Sequence, residues 1–262
     1  MLDRTGFRLL RVAAWQRALP LVGLISALPL AASTPREPTL SELVERNAAA
    51  MGGKAAVEAV SSIEIDLHLV QVDFEGDALW RLDRTGHARV DLLVDGQRVL
   101  TETRDGLRGW QWPLGAAQAD EASTDTLRHL GRMALYPNQL FGLHELARRG
   151  GRLELKDFEE VGGKRFPVVQ CTLPDGYVGL YYLDPASFLI TRARELRKFR
   201  PERDVAPRWL ETSFSDFRAV GGTRRPFAFS LKDVASGVLL QLATVKSVLI
   251  NPAFDSELFA RP

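Results

Sequence analysis

Between Ser62 and Pro252, apolar and polar residues alternate with a period of two, and the pattern breaks only once. Ile63, Ile65, Leu67 and Leu69 alternate with Glu64, Asp66 and His68, the signature of a strand with one buried face and one wet face. Ala78, Trp80 and Leu82 continue the pattern, followed by Val90, Leu92 and Val94. Asp95-Gly96 and Asp105-Gly106 are two-residue hairpin signals, because a type I′ turn needs positive φ at both central positions. Strands are therefore expected at 97–104 and 107–112, where Pro113 removes a ladder donor. The alternation resumes at 152–160, 165–173, 177–183, 188–199, 208–220, 226–234 and 238–250, with Gly- or Pro-containing turns at most of the junctions. The count is about 11 or 12 strands.

The break falls at 122–150, where apolar residues recur at helical spacing. Thr124 or Asp125 caps a helix carrying Leu127, Leu130 and Met133; Pro137 interrupts it, and 140–149 supplies a second short helix. A connection this long in a compact domain is often functional, for example as a lid. Ahead of the strands, Thr39 and Glu42 form a capping-box pattern for a helix with Leu40, Leu43, Val44, Ala48 and Met51 on one stripe. Gly52-Gly53 ends that helix, and 54–60 reads as another. A long antiparallel sheet has to cover its second face. If it curls and the helices close its concave side, an apolar cavity results.

The N-terminus changes the setting. Arg4, Arg8, Arg11 and Arg17 precede the uncharged apolar run 18–30 and then Ala31-Ala32-Ser33, the layout of a secretory signal over residues 1–33. The apolar run falls short of the ~20 residues of a membrane span, so residues 34–262 are expected as one exported domain. A formal charge of +1 gives no support for a nucleic-acid surface. Cys171 is the lone cysteine, which excludes an intrachain disulfide and reads as a small buried hydrophobe.

Candidate chemistry adds little. No Gly-x-Ser-x-Gly elbow is present, and Ser236 sits in a hairpin turn. His144-Glu145 opens like a zinc-protease motif, but Arg148 stands in place of the second histidine. Glu64, Asp66 and His68 are spaced by two on one strand, about 7 Å apart, too far for one metal without convergence. No catalytic residue, metal ligand or cofactor is assigned. Arg192, Arg194, Arg197, Lys198, Arg200 and Arg203 read as a solvated edge hairpin, or else as a docking surface for anionic headgroups or an acidic partner.

Several segments together resemble bacterial outer-membrane lipoprotein-sorting proteins. They are Glu42-Leu43-Val44-Glu45-Arg46-Asn47 through Met51-Gly52-Gly53, Arg104-Asp105-Gly106 with Gly109-Trp110, and Tyr181-Tyr182-Leu183-Asp184-Pro185. Phe214-Ser215-Asp216-Phe217-Arg218-Ala219-Val220-Gly221-Gly222 with Pro226-Phe227, and the ending 251–259, complete the likeness. The resemblance implies the LolA/LolB-like fold: mainly β, a strongly curved antiparallel sheet forming an incomplete barrel, with helices over the concave face. It also implies a periplasmic carrier, in a Gram-negative bacterium, for acyl chains of a lipid or lipoprotein. Its partners would be an inner-membrane donor and an outer-membrane acceptor. The alternatives are a lipid-sensing module for a membrane partner, as in RseB-type regulators, and a hydrolase. The residues expected to line the cavity are Trp80, Trp110, Trp112, Leu127, Leu130, Met133, Tyr182, Phe227 and Phe229.

Overall fold

The computed structural model describes residues 36–262; the export signal expected over 1–33 lies outside the described residues. Helix α1 (Leu40–Ala50) starts at Thr39, whose hydroxyl accepts from the Glu42 amide (3.3 Å) while the Glu42 carboxylate accepts from the Thr39 amide (2.7 Å). This capping box satisfies two donors that the first turn would otherwise leave open. At the far end Gly52, with φ +115°, packs so tightly that a Cβ there would stand 2.2 Å from the Gly222 carbonyl oxygen. That approach lets the Met51 carbonyl accept from the Arg224 amide at 3.0 Å, tying the helix to the sheet. Helix α2 (Lys54–Glu58) then leads into the first strand.

The strands run in two series. The first is β1 (Ser62–Gln71), β2 (Phe74–Asp83), β3 (Ala88–Val94), β4 (Gln97–Asp105), β5 (Arg108–Pro113) and the short β6 (Asp120–Glu121). After the helical connection come β7 (Arg152–Leu155), the pair β8 (Glu159–Val161) and β9 (Lys164–Phe166), and β10 (Val168–Thr172). The series ends with β11 (Val178–Leu183), β12 (Ile190–Arg197), β13 (Arg208–Val220), β14 (Thr223–Asp233) and β15 (Leu239–Ile250). Among the described residues, 13 strands form one open antiparallel sheet in the order β6-β5-β4-β3-β2-β1-β15-β14-β13-β12-β11-β10-β7, and β8-β9 stands apart as a hairpin. The 15 strands exceed the expected 11 or 12 because two expected strands are each divided and the short β6 was not expected. Residues 152–160 split into β7 and β8, and Pro167, which has no amide to donate, separates β9 from β10.

Topology decides where the helices go. β1 pairs with β15 in mid-sheet, with Ile63 opposite Ile250 and Gln71 opposite Gln241. The two series run outward from that seam, leaving β6 at one edge and β7 at the other. The link between them spans the full width of the sheet and carries α3 (Thr124–Leu135) and α4 (Leu143–Leu146). Ser123, one residue before the expected caps, accepts from the Thr126 amide (3.2 Å) and starts α3. Both edges are short, which limits sheet-to-sheet pairing with other chains.

One core joins both halves. It contains Leu43 of α1, Leu130 and Met133 of α3, and Leu143 and Leu146 of α4, packed on Ile63, Leu67, Leu82, Tyr181, Ile190 and Ala243. The sheet is strongly curved. Gln111 of β5 and Tyr181 of β11 line the same cavity although nine strand spacings separate them, about 43 Å in a flat sheet. No helix among the described residues is long and apolar enough to cross a membrane.

Arg84, in the β2–β3 turn, bolts the helical layers to the sheet. Its guanidinium donates to the carbonyls of Val57 (2.7 Å), Leu140 (3.0 Å) and Val60, and pairs with Glu145 of α4 at 2.6 Å. Glu145 is buried and also accepts from the Gly142 amide (3.0 Å). Replacing Arg84 by Met takes the cation from a buried carboxylate and one donor from each of three carbonyls. The expected cost is about 3–5 kcal/mol of unfolding free energy in urea titration, with part of it recovered by adding Glu145→Gln.

Candidate functional site

The concave face encloses a cavity of about 540 Å³. Its wall is mostly aliphatic and aromatic, because the inward set of each half-buried strand is the apolar set. Ile63, Ile65 and Leu69 of β1 form the floor, Met133 of α3 the roof, and Leu92 and Val245 the sides. Trp80, Phe229 and Phe214, from three strands, meet in sequence at tilted angles, with ring centroids 5.8 Å and 6.4 Å apart. Along β1 the lining residues run from Ile63 to Gln71, eight residues or about 26 Å.

The two ends differ. Around Ile63 the cavity is blind: Ile63, Asn138 and Arg225 are all buried, and Leu140 and Phe141 are buried in the same connection. Around Gln71 it meets solvent beneath the β12–β13 loop, where Asp73, Glu202 and Arg203 are exposed. That loop is strapped on two sides. Arg200 donates to Asp73 in the β1–β2 turn (2.8 Å for one of two bonds), and Lys198 reaches Asp125 on α3 at 2.7 Å. Glu202 also accepts from the Thr126 hydroxyl. Arg200 beside Asp73 and Lys198 beside Asp125 hold those two carboxyls below their ordinary range.

Polar groups interrupt the apolar wall at three places. Glu102 of β4 accepts from Gln111 of β5 at 2.6 Å. Loss of hydration raises the Glu102 carboxyl above its ordinary 4.5, against the Gln111 bond, and the nearby Glu202 charge adds to the rise. The buried carboxylate of Glu195 accepts from Arg197 (3.1 Å) and Tyr177, whose hydroxyl also meets that of Tyr181 at 3.2 Å. Beside this network burial holds His129 neutral, down to about 3, with Arg197 and Arg132 contributing. At the blind end, Arg225 lies among Asn138, Gln139 and Thr223.

Of the residues expected from sequence, Trp80, Met133 and Phe229 stand on the cavity wall and the other six do not. Trp110 and Trp112 flank Gln111, which faces the cavity, so strand alternation turns both indoles to the outer face. There Arg108 and Arg98 lie over their rings, 5.5 Å and 4.0 Å from the centroids. Tyr182 packs with Phe166 and Val168 on the outer side, while its neighbour Tyr181 faces inward. Leu127 leans on Gly109, whose hydrogen leaves room for it, and Leu130 and Phe227 belong to the packed core. His129 and Tyr136 were legible as the helical companions of Met133; Glu102, Gln111 and Arg225 gave no signal, because polar residues in strands read as solvated.

The arginine-rich hairpin is not an edge. β12 lies between β11 and β13, and its cations are matched: Arg192 and Arg194 with Glu211, Arg197 with Glu195. Arg200 and Arg203 share Asp73. Arg81 holds Glu64 at 2.7 Å, and His68 contacts Asp77 at 3.1 Å on the outer face.

No protein-family model matches the chain, and no curated protein matches its sequence. Solved structures do match. A domain assigned to outer membrane lipoprotein sorting from Vibrio parahaemolyticus superposes with a TM-score of 0.54 at 12% identity, covering 83% of this chain and 95% of that one. A LolA superfamily protein from Nitrosomonas europaea gives 0.54 at 12% identity, covering 86% and 98%. A DUF1329 family protein from Desulfovibrio piger gives 0.52 at 10% identity, covering 85% and 98%. The fold is LolA-like.

The raised Glu102 carboxyl makes a pH prediction. A folded-state value above the unfolded one adds stability that is complete below about 4.5 and is lost as pH rises through the folded value. Glu102→Gln keeps the shape and removes the titration. Thermal melts should show the variant gaining on the wild type as pH rises from 4 to 8, with no gain at pH 4.

Proposed function

We propose that this chain, built on the LolA-like fold, is a periplasmic carrier that shields acyl chains of a lipid or lipoprotein on the way to the outer membrane. The observation that carries the reading is the cavity of about 540 Å³ between the concave sheet and the helical connection. Hydrocarbon entering it loses contact with water at roughly 25 cal/mol per Å² of apolar surface, a driving force that is strong and weakly selective. Selectivity of that kind suits a carrier, which has to release what it binds.

In this reading residues 1–33 direct export, and 34–262 act as one domain with the 122–150 connection as its lid. The β12–β13 loop gives the lid a latch: Lys198 pairs with Asp125 on α3, while Arg200 ties the loop itself to Asp73 of the β1–β2 turn. These ion pairs at the solvent edge are individually weak and quick to break. Donor and acceptor proteins at the two membranes would engage this open end. The lipoprotein-sorting assignment of the Vibrio domain supports the reading by its fold. No catalytic step is assigned.

Native mass spectrometry of protein purified from the periplasm should find an added lipid mass, and apo protein should take up a fluorescent fatty acid. Phe214→Glu, which places a charge on a half-buried part of the wall, should weaken that uptake on the order of tenfold with the circular dichroism unchanged. A protein that carries no lipid and takes up no fatty acid overturns the proposal.

A further inference from the structure

Arg225 is the largest fully buried side chain in the described structure, 2% exposed, and it lines the blind end of an otherwise apolar cavity. Its Nε donates to the Thr223 hydroxyl at 3.0 Å, and Nη1 donates to the Gln139 carbonyl. Nη2 is buried and has no partner among the described residues. Nor does the guanidinium have a carboxylate of its own. The carboxylate that acts on it, Glu145, is held by Arg84 at 2.6 Å and by the Gly142 amide at 3.0 Å, and Arg84 itself repels Arg225. Burial followed by that repulsion lowers Arg225 to about 10, so it stays charged at neutral pH.

A buried cation with an unused donor is costly unless something supplies the missing negative charge. The protein's other cavity cations are matched internally: Arg197 by Glu195, and Arg200 and Arg203 by Asp73. Beside Arg225, Asn138 Oδ1 and Gln139 Oε1 are also buried without partners. Both are acceptors for a hydrogen bond from a water or hydroxyl accompanying an anion. From there the floor runs through Ile63, Ile65 and Leu69, about 20 Å of apolar wall toward the solvent end.

We infer that Arg225 anchors the oxyanion head of a single-chain amphiphile, which enters head first and lays its hydrocarbon along β1 toward the mouth. The inference rests on the carrier reading and narrows its cargo to an acid-headed lipid. The guanidinium offers a charge-assisted bond that a neutral head of the same chain length cannot match. A carboxylate and a phosphate monoester share this chemistry, and chains differing only in the head separate them.

The test is titration of delipidated wild-type protein with oleate, oleyl phosphate and oleyl alcohol, followed by competition against a fluorescent hydrocarbon probe. Both anions should bind about tenfold tighter than the alcohol or better, and the tighter of the two identifies the head. In Arg225→Met that advantage should fall to within about twofold while alcohol binding persists. Arg225→Lys, which keeps the charge, should retain part of it and serves if the Met variant does not fold. Arg203→Gln at the mouth should leave the advantage intact. Equal binding of acid and alcohol by the wild type, or an advantage that survives Arg225→Met, overturns the anchor while leaving the carrier reading in place. Failure of all three chains to bind overturns both.

Discussion

The antiparallel pairing of β1 with β15 is the constraint from which the rest of the architecture follows. It joins the first strand to the last in the middle of the sheet and pushes the two free edges to the ends of both series. The chain then has one route from β6 to β7, and it lies across the concave face. A sheet that twists by its own stereochemistry and curls toward its apolar side brings those edges close enough for about 30 residues to bridge them. The cavity is what remains between the floor and this bridge.

Packing and hydrogen bonding divide the work of holding the bridge. Apolar contacts from Leu130, Met133, Leu143 and Leu146 attach the helices over part of the face. Arg84 fixes the other end by supplying donors to carbonyls from two separate segments, so its charge is spent on structure. Arg225, close by, donates to one carbonyl and one hydroxyl and keeps a third nitrogen without a partner. The half-buried Arg84 and the buried Arg225 thus differ in whether a carboxylate answers them. At the solvent end the restraints are exposed ion pairs, and the mouth is held less firmly than the blind end.

Much of the fold was legible locally. The Thr39–Glu42 capping box, the Asp95-Gly96 turn with positive φ at both positions and the break at 122–150 each rest on short-range chemistry, and the structure has them. The next turn is shifted by one residue, with Asp105 paired to Arg108 and Gly106 alone at positive φ in a Gly106-Leu107 loop. The β12 arginines were misread as an edge, since a strand's neighbours are set by residues far away in sequence. The cavity wall was harder to see. Trp110 and Trp112 look like lining because they are aromatic, but a one-residue phase in the pleat sends them outward and Gln111 inward. Tyr181 and Tyr182 are adjacent and both buried, so apolar character alone could not say which faces the cavity.

By itself, then, the sequence determined the element types, most turn positions, the helical interruption and the mainly β class, because period, caps and φ preferences act within a few residues. Only the tertiary structure decided which face of each strand is concave, which cations are neutralised and where a cavity stays open. Those depend on register and curvature across nine strand spacings, and no local pattern encodes them. Arg225 is the clearest case. As a letter beside Arg224 it reads as a solvated charge, and only the curved sheet makes it a buried cation at the end of a mostly apolar cavity.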